Sequence, residues 1–173
     1  DAISTLSWDT QPGDRRTAIA LDLLSKRLFV SVGTTLRILN EDLKEIGLRP
    51  LGASQPRDLL VTGETLWMVL PEDGRVLAGE MTFSGDRLDA IVWRELPLPP
   101  GAAPVAVAGD RHGQILVLDA AGEELLVVSE ERQPVLQVRV GGQDLAQGDL
   151  EADASGSVIF LVDGTGKLSA YRP

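Results

Sequence analysis

Three carboxylates at alternate positions, Asp149, Glu151 and Asp153, have the residue type and spacing that come closest to a metal site in this sequence. Alternate residues of a β-strand share one face of the sheet, so the three side chains are predicted to point the same way. Hard cations such as calcium bind clusters of carboxylate oxygens. The pattern therefore suggests a calcium ion in a channel. The simpler interpretation is that these carboxylates face water or pair with an arginine such as Arg57.

Other groups that could carry catalysis are scarce. The 173 residues include no cysteine and a single histidine, His112, which precedes Gly113 in a predicted turn. Thiol nucleophiles, disulfides and zinc–thiolate sites are therefore excluded. The sequence also has no Gly-x-Ser-x-Gly elbow and no phosphate-binding loop. We predict no catalytic residues, and we interpret His112 as a solvated turn residue.

Charge and hydropathy indicate which binding partners and which cellular location to expect for this protein. The chain has 26 acidic and 16 basic residues, a net charge of −10, and such a surface repels nucleic acid. No apolar run approaches the ~18 residues that a membrane helix needs, so no transmembrane segment is predicted. The chain opens at Asp1 without an initiator Met, as it would after removal of a secretory presequence. We therefore expect a periplasmic or secreted protein with a protein partner.

Short apolar runs of strand length alternate with Gly, Asp and Pro along the whole chain, and four stretches resemble one another. The matching positions Phe29, Trp67, Leu116 and Phe160 are 38, 49 and 44 residues apart. A repeat of roughly 40–50 residues with about four strands is typical of the blades of a β-propeller.

These repeats predict one all-β domain over residues 1–173, a small propeller of four blades, each with about four antiparallel strands. The predicted blades cover residues 13–53, 54–98, 102–142 and 147–173. The last unit lacks an outer strand, and residues 1–9 supply a spare one, so we expect the N-terminal strand to close the last blade and remove its open edge. The alternative is half of an eight-bladed ring, a homodimer in which a second copy completes the circle.

Residues 104–119 show the repeat most clearly: an apolar strand ends in Asp, a short Gly turn follows, and a second apolar strand ends in another Asp. The fourth unit repeats this pattern with Asp153 and Asp163, whereas the first has Gly33 in place of the second Asp and the second has Thr62 in place of the first. The pattern resembles NHL-type propeller repeats. That resemblance implies a propeller that most often binds partners and is less often an enzyme. Such propellers commonly have six blades, which leaves open a larger ring built from two chains.

The first aspartate of the repeat recurs as Asp22, Asp110 and Asp153. An Asp at the end of a strand accepts hydrogen bonds from backbone N–H groups a few residues further on. Because the same residue returns from unit to unit, we interpret these aspartates as turn caps.

The large aromatic residues divide into two groups. Phe29, Trp67 and Phe160 occupy one repeat position and are predicted to pack between blades. Trp8 and Trp93 lie on predicted outermost strands, where an exposed tryptophan can anchor a protein partner. The simpler interpretation is that each ring lies flat against the neighbouring strand.

Two functions follow from these observations. The first is a non-catalytic protein-interaction or scaffold module, such as an accessory subunit of a larger extracytoplasmic assembly. The second is a metal-dependent hydrolase or lactonase of propeller type, with a calcium ion held by carboxylates at the central channel.

Overall fold

The computed structural model describes residues 17–52, 54–110, 112–129, 134–140, 142–153 and 155–172. Four antiparallel sheets are arranged as the blades of a four-blade β-propeller. In each blade the strands follow one another in chain order, from the innermost to the outermost. The fold class predicted from the repeats is therefore confirmed.

Fifteen described strands form the four blades. Blade 1 contains β1 (Thr17–Asp22), β2 (Arg27–Val32), β3 (Thr35–Leu39) and β4 (Glu45–Pro50). Blade 2 contains β5 (Asp58–Thr62), β6 (Thr65–Leu70), β7 (Arg75–Ser84) and β8 (Arg87–Glu95). Blade 3 contains β9 (Pro104–Gly109), β10 (Ile115–Asp119), β11 (Glu124–Val128) and β12 (Pro134–Arg139). Blade 4 contains β13 (Asp149–Ala152), β14 (Ile159–Val162) and β15 (Leu168–Tyr171).

In the described part of the chain, two short 3₁₀ helices, Pro71–Asp73 and Leu145–Gln147, interrupt the strands. Within the described ranges, neither helix has the length and apolar character needed to cross a membrane. The predicted closing strand, residues 1–9 with Trp8, lies outside the described residues.

Local sequence explains why the chain folds into hairpins. Val, Ile and Leu dominate the strands, and turn residues separate them. The β5–β6 hairpin is an example: Thr62 pairs with Thr65, so its turn has only two residues, and the first of these, Gly63, has a φ of 58°. Such a tight turn favours residues that tolerate positive φ, and glycine does so at no steric cost.

The hydrophobic core lies at the junctions between blades. We call the side of a blade that faces the next blade in the chain its forward face, and the opposite side its rear face. Phe29 on the forward face of blade 1 packs in one cluster with Leu59 and Met68 of blade 2. Trp67 of blade 2 packs with Val107 and Val117 of blade 3. A third cluster joins the forward face of blade 3 to the rear face of blade 4; it includes Ala108, Leu116, Leu118, Leu150 and Leu161.

The two faces at the ends of this series are only partly exposed; on the rear face of blade 1, Val30 and Leu39 are buried. Ile19, on the rear face of blade 1, is 60% exposed, whereas its equivalent Leu59 in blade 2 is 5% exposed. Phe160, on the forward face of blade 4, is 36% exposed, whereas its equivalent Phe29 is fully buried. The prediction that Phe29, Trp67 and Phe160 pack between blades is thus confirmed for the first two and is wrong for Phe160, which is exposed and belongs to none of the three clusters.

Candidate functional site

The innermost strands of all four blades begin around one central cleft. One cavity in this cleft has a volume of about 570 Å³ and is bordered by Arg57, Glu72, Pro104 and Gln147, among others. A second cavity of about 360 Å³ adjoins it and contains Asp58 and Asp149 in its wall. The two cavities form one polar depression at the centre of this side of the propeller, because they share four lining residues: Thr17, Arg57, Val105 and Gln147.

Arg57 joins blade 2 to blade 4 across this cleft. Its guanidinium donates to the backbone carbonyl of Gly148 over 2.7 Å and also to that of Ala146. Ala146 lies in the short helix Leu145–Gln147 that precedes β13, and Gly148 is the residue that follows this helix. An arginine that contacts the carbonyls at the end of a helix satisfies acceptors that have no partner within the helix.

Asp58, the first residue of β5, is a partly buried carboxylate beside the cleft. Its Oδ2 accepts a hydrogen bond from the Val107 N–H over 2.8 Å, and its Oδ1 accepts one from the Leu59 N–H over 2.8 Å. Burial raises the pKa of Asp58 to about 7, and the negative charges of Asp149 and Glu151 add to the rise, against the opposing effect of the two hydrogen bonds. This residue was not predicted from the sequence, although it is the one acidic side chain in a strand whose other residues are Leu, Val and Thr.

The structure brings two of the three predicted metal ligands toward Asp58 and separates the third from them. Asp149 and Glu151 alternate along β13 beside the cleft, whereas Asp153 follows the other end of that strand. Four residues of extended chain span roughly 13 Å. Ligand oxygens lie 2.3–2.6 Å from a calcium ion, so the ligands of one ion must be within about 5 Å of one another. Among the described residues, no three His, Cys, Asp or Glu side chains form a group that could hold a metal ion.

Asp153 instead caps the turn that follows β13. Its Oδ1 accepts from the Val158 N–H over 2.8 Å, and its Oδ2 accepts from the Ser155 hydroxyl over 2.6 Å. The bond with the Ser155 hydroxyl is the main reason why the pKa of Asp153 is lowered from its usual value.

Asp22 and Asp110 occupy the same position of the repeat as Asp153. They also cap turns, as predicted from the recurrence of this aspartate. Asp110 accepts from the N–H groups of His112 and Gln114, each over 2.8 Å. Asp22 accepts from the Leu24 N–H over 3.0 Å and from the hydroxyl and N–H of Ser25. These three carboxylates thus serve the hairpins at the end of the propeller opposite the central cleft.

His112 lies in one of these turns. Its backbone N–H is engaged by Asp110, and the turn follows Gly109, the last residue of β9. The cleft, in contrast, is lined by Pro104 at the start of the same strand. The histidine of this sequence therefore lies at the far end of the blade from the cleft.

The second aspartate of the repeat has a different role, which the sequence analysis missed. Asp119 accepts from the Ala103 N–H over 2.8 Å, and Asp163 accepts from the Gln143 N–H over 2.9 Å. Each bond joins the end of the second strand to the connection that enters the same blade. The pKa of Asp163 is lowered, first by its bond with the Thr165 hydroxyl. The recurrence of this Asp in blades 3 and 4 was the signal in the sequence.

Trp93, the partner anchor proposed from the sequence, is partly buried and packs at the edge of the core between blades 1 and 2. Its ring lies over Gly79 of the adjacent strand, so closely that an ideal Cβ on Gly79 would be 2.5 Å from Trp93 Cζ3. The simpler interpretation, a ring flat against its neighbouring strand, describes this geometry. Partner binding by Trp93 stays a prediction, and Trp8 lies outside the described residues.

Among the described residues, the most exposed large apolar side chains belong to the hairpin turn of blade 1. Leu23 is 77% exposed and Leu24 is 93% exposed. We call residues 23–26 the leucine turn. Beside it is an apolar groove of about 250 Å³, lined by Leu21, Leu23, Lys26, Leu28, Asn40, Glu41 and Leu43. Lys26 Nζ lies 2.7 Å from Glu41 Oε2 at the groove, and this contact raises the pKa of Lys26.

Backbone conformation also distinguishes this groove. Lys26 and Leu43 have φ values of 55° and 59°, and they are two of four non-glycine residues with positive φ in the described part of the chain. Asn40 stabilises the second of these conformations, because its side chain accepts from the N–H groups of Asp42 and Lys44. Unfavourable backbone conformations of this kind are often found at functional sites.

The chain matches no protein-family profile and no curated protein. Its fold does match solved structures. A streptogramin B lyase has a TM-score of 0.63 and 12% identity, and the match covers 94% of this chain and 56% of the lyase. A catalytically inactive histidine-to-alanine variant of virginiamycin B lyase from Staphylococcus aureus, solved with quinupristin, has a TM-score of 0.64 and 10% identity, and the match covers 96% of this chain and 58% of that one.

BamB from Moraxella catarrhalis is similar as well, with a TM-score of 0.60 and 15% identity over 89% of this chain and 45% of BamB. These likenesses establish the propeller fold. At 10–15% identity they show the fold alone, and the chain spans about half the length of the structures it matches. The resemblance to NHL-type repeats stays a prediction, since no family profile supports it.

Proposed function

We propose that this propeller is a non-catalytic protein-interaction module that serves as a scaffold or accessory subunit in a larger extracytoplasmic assembly, periplasmic or secreted. One observation carries the proposal: the leucine turn presents Leu23 and Leu24 to solvent next to an apolar groove. Exposed apolar patches with a polar rim are typical of protein–protein interaction sites. The Lys26–Glu41 ion pair supplies such a rim.

The exposure of Leu23 and Leu24 supports a role beyond folding. Exposed leucines contribute little to folding, because their side chains stay in contact with water. A partner that covered them would gain roughly 1.5–3 kcal/mol for each fully buried side chain.

The hydrolase or lactonase alternative receives less support from the same geometry. It requires carboxylates that converge on one metal ion, and Asp153 is held in a turn away from Asp149. The histidine-to-alanine variant of virginiamycin B lyase is catalytically inactive. In this chain the one histidine, His112, lies at the end of blade 3 opposite the cleft.

The test compares three immobilised baits in an extract of the source cells. These are the parent chain, the Leu23→Asp/Leu24→Asp variant, and a Leu136→Asp/Val138→Asp control that places the same two charges at two other exposed apolar residues, on β12. We expect at least one protein, identified by mass spectrometry, to bind the parent and the control and to be lost from the leucine-turn variant. Identical sets of bound proteins on all three baits would refute the role of the turn.

The proposed location is tested separately. Fractionation of cells that express the native gene should recover the protein in the periplasmic or extracellular fraction. Recovery in the cytoplasmic fraction would contradict an extracytoplasmic assembly and would leave the binding test unaffected.

A further inference from the structure

We propose that the proline-rich connection between blades 2 and 3 binds a partner protein, in a groove of that partner that is lined by aromatic side chains and has a basic residue at its rim. We call this connection, residues 96–101, the proline connector; its sequence is Leu-Pro-Leu-Pro-Pro-Gly. The inference goes beyond the proposed function, because the connector joins β8 to β9 near Pro104 at the cleft end of the propeller, whereas the leucine turn lies at the opposite end.

The sequence of the connector restricts its backbone to an extended conformation. Proline fixes φ at about −65°, and a residue that precedes proline avoids the helical region. Every residue from Leu96 to Pro100 is a proline or directly precedes one, so this segment favours the polyproline II conformation. It ends in a tight turn, in which the Ala102 N–H donates to the Pro99 carbonyl over 3.1 Å and Gly101 has a φ of 84°. Proline followed by glycine at positive φ is typical of a type II turn.

Contacts with the propeller hold the connector in place. Leu96 is buried in the cluster between blades 2 and 3, and its N–H donates to the Val76 carbonyl over 2.9 Å. Leu98 packs against the same cluster. The conformation that a partner would bind is thus already formed, and little conformational entropy is lost when it binds.

The exposed prolines follow the periodicity of a polyproline II helix, which has about three residues per turn. Pro97 and Pro100, which are one such turn apart, are both exposed. Leu96 is buried, and Pro99, one turn after it, is partly buried. One edge of the connector therefore packs on the propeller, and another edge presents two prolines to solvent. Grooves lined by aromatic side chains bind proline-rich segments of this kind.

The other connections between blades show that the chain can pass from one blade to the next without an exposed proline. The connection from blade 1 to blade 2 contains one proline, Pro56, which is buried. The connection from blade 3 to blade 4, residues 140–148, contains none. Joining two blades therefore does not require Pro97 and Pro100 at the surface, and both are accessible to a partner.

The charge beside the connector indicates the chemistry of the partner's rim. A cavity of about 530 Å³ runs along the connector, and its described lining includes Asp73 and Glu95 but neither lysine nor arginine. Arg75 lies 2.8 Å from Glu95, whereas Asp73 accepts from the Ser54 hydroxyl. Asp73 therefore contributes a negative charge at this cavity, and a basic residue beside the aromatic groove is its electrostatic complement.

Single substitutions test the connector on immobilised baits in an extract of the source cells. The baits are the parent chain, Pro97→Ala, and the matched control Pro50→Ala, which removes another exposed proline, at the end of β4. We expect one protein to bind the parent and the control, and to bind Pro97→Ala roughly tenfold less. Circular dichroism checks that both variants are folded.

The captured protein is then purified and titrated with a synthetic peptide of residues 94–101. This peptide contains no Trp, Tyr or Phe, so a change in aromatic fluorescence comes from the partner. We expect the peptide to change that fluorescence and to compete with the whole propeller, and its Pro97→Ala version to bind about tenfold more weakly. In the whole propeller, Asp73→Asn should weaken binding about two- to fivefold, whereas the exposed control Asp86→Asn should leave it unchanged.

Two results would overturn the proposal: equal capture on all three baits, or a captured partner whose aromatic fluorescence does not respond to the peptide. The Leu23→Asp/Leu24→Asp bait separates this inference from the proposed function. A protein that this bait retains and Pro97→Ala loses binds the connector and not the leucine turn. If Pro97→Ala retains every captured protein, the connector is refuted, and the leucine turn is judged on its own variant.

Discussion

The carboxylate of Asp58 in blade 2 accepts a hydrogen bond from the Val107 N–H in blade 3 over 2.8 Å. This bond joins the innermost strands of two neighbouring blades at the edge of the central cleft. Burial, together with the charges of Asp149 and Glu151, raises the pKa of Asp58 to about 7. The stability of this junction should therefore depend on pH between about 4 and 7.

The direction of this pH dependence follows from the pKa of Asp58 in the folded and in the unfolded protein. The folded protein holds the Asp58 proton up to about pH 7, whereas the unfolded chain loses it near the ordinary value of 3.8. The contribution of Asp58 is therefore complete below about pH 4 and is lost as the pH rises from 4 to 7. Replacing Asp58 with Asn keeps an oxygen acceptor for Val107 and removes the titration.

We expect the Asp58→Asn variant to gain stability relative to the parent as the pH rises from 4 to 8. The relative gain in free energy of unfolding should be on the order of 2–4 kcal/mol. Urea unfolding followed by tryptophan fluorescence at both pH values measures it. The exposed Asp86→Asn serves as control. A difference between variant and parent that stays constant with pH would show that Asp58 does not titrate in this range.

The Asp119→Ala change should destabilise blade 3. Asp119 is buried and accepts from the N–H groups of Ala103 and Ala121. Loss of both bonds leaves two N–H groups without an acceptor, and we expect the free energy of unfolding to fall by about 2–4 kcal/mol. Denaturant titration measures this fall. The Asp119→Asn variant should lose less free energy of unfolding, because its side chain keeps one oxygen as an acceptor. The control Asp86→Ala should change the free energy of unfolding by no more than ~0.5 kcal/mol. Equal losses in Asp119→Ala and Asp119→Asn would contradict the role of Asp119 as an acceptor.

Calcium should not stabilise the protein. Asp149 and Glu151 lie near Asp58, but Asp153 caps a turn at the other end of the strand. We expect the melting temperature to be the same with millimolar calcium, with magnesium and with a chelator. A site filled to 100 times its dissociation constant would instead add about 2.7 kcal/mol.

The Asp149→Ala/Glu151→Ala variant completes this test. Removing two negative charges near Asp58 should leave the protein as stable as the parent at neutral pH or more stable, since it removes like-charge repulsion. A melting temperature that rises with calcium in the parent and not in this variant would restore the metal-site hypothesis and, with it, the enzyme alternative.

Features that depend on neighbouring residues were predictable without the structure. The alternation of apolar strands with Gly and Asp turns indicated the hairpins and their fourfold repeat, because strand formation and tight turns depend on local backbone preferences. The roles of Asp22, Asp110 and Asp153 followed for the same reason: each carboxylate accepts from N–H groups within five residues of itself.

Relationships between distant segments required the folded molecule. Asp58 and Val107, or Arg57 and Gly148, are far apart in the chain, and no local preference indicates that they meet. Strand alternation correctly placed Asp149 and Glu151 on one face, but the turn after β13 directs Asp153 elsewhere. The same limit applies to the end faces. The apolar pattern of blade 4 is that of the other blades, and whether Phe160 is covered depends on which blade packs against it.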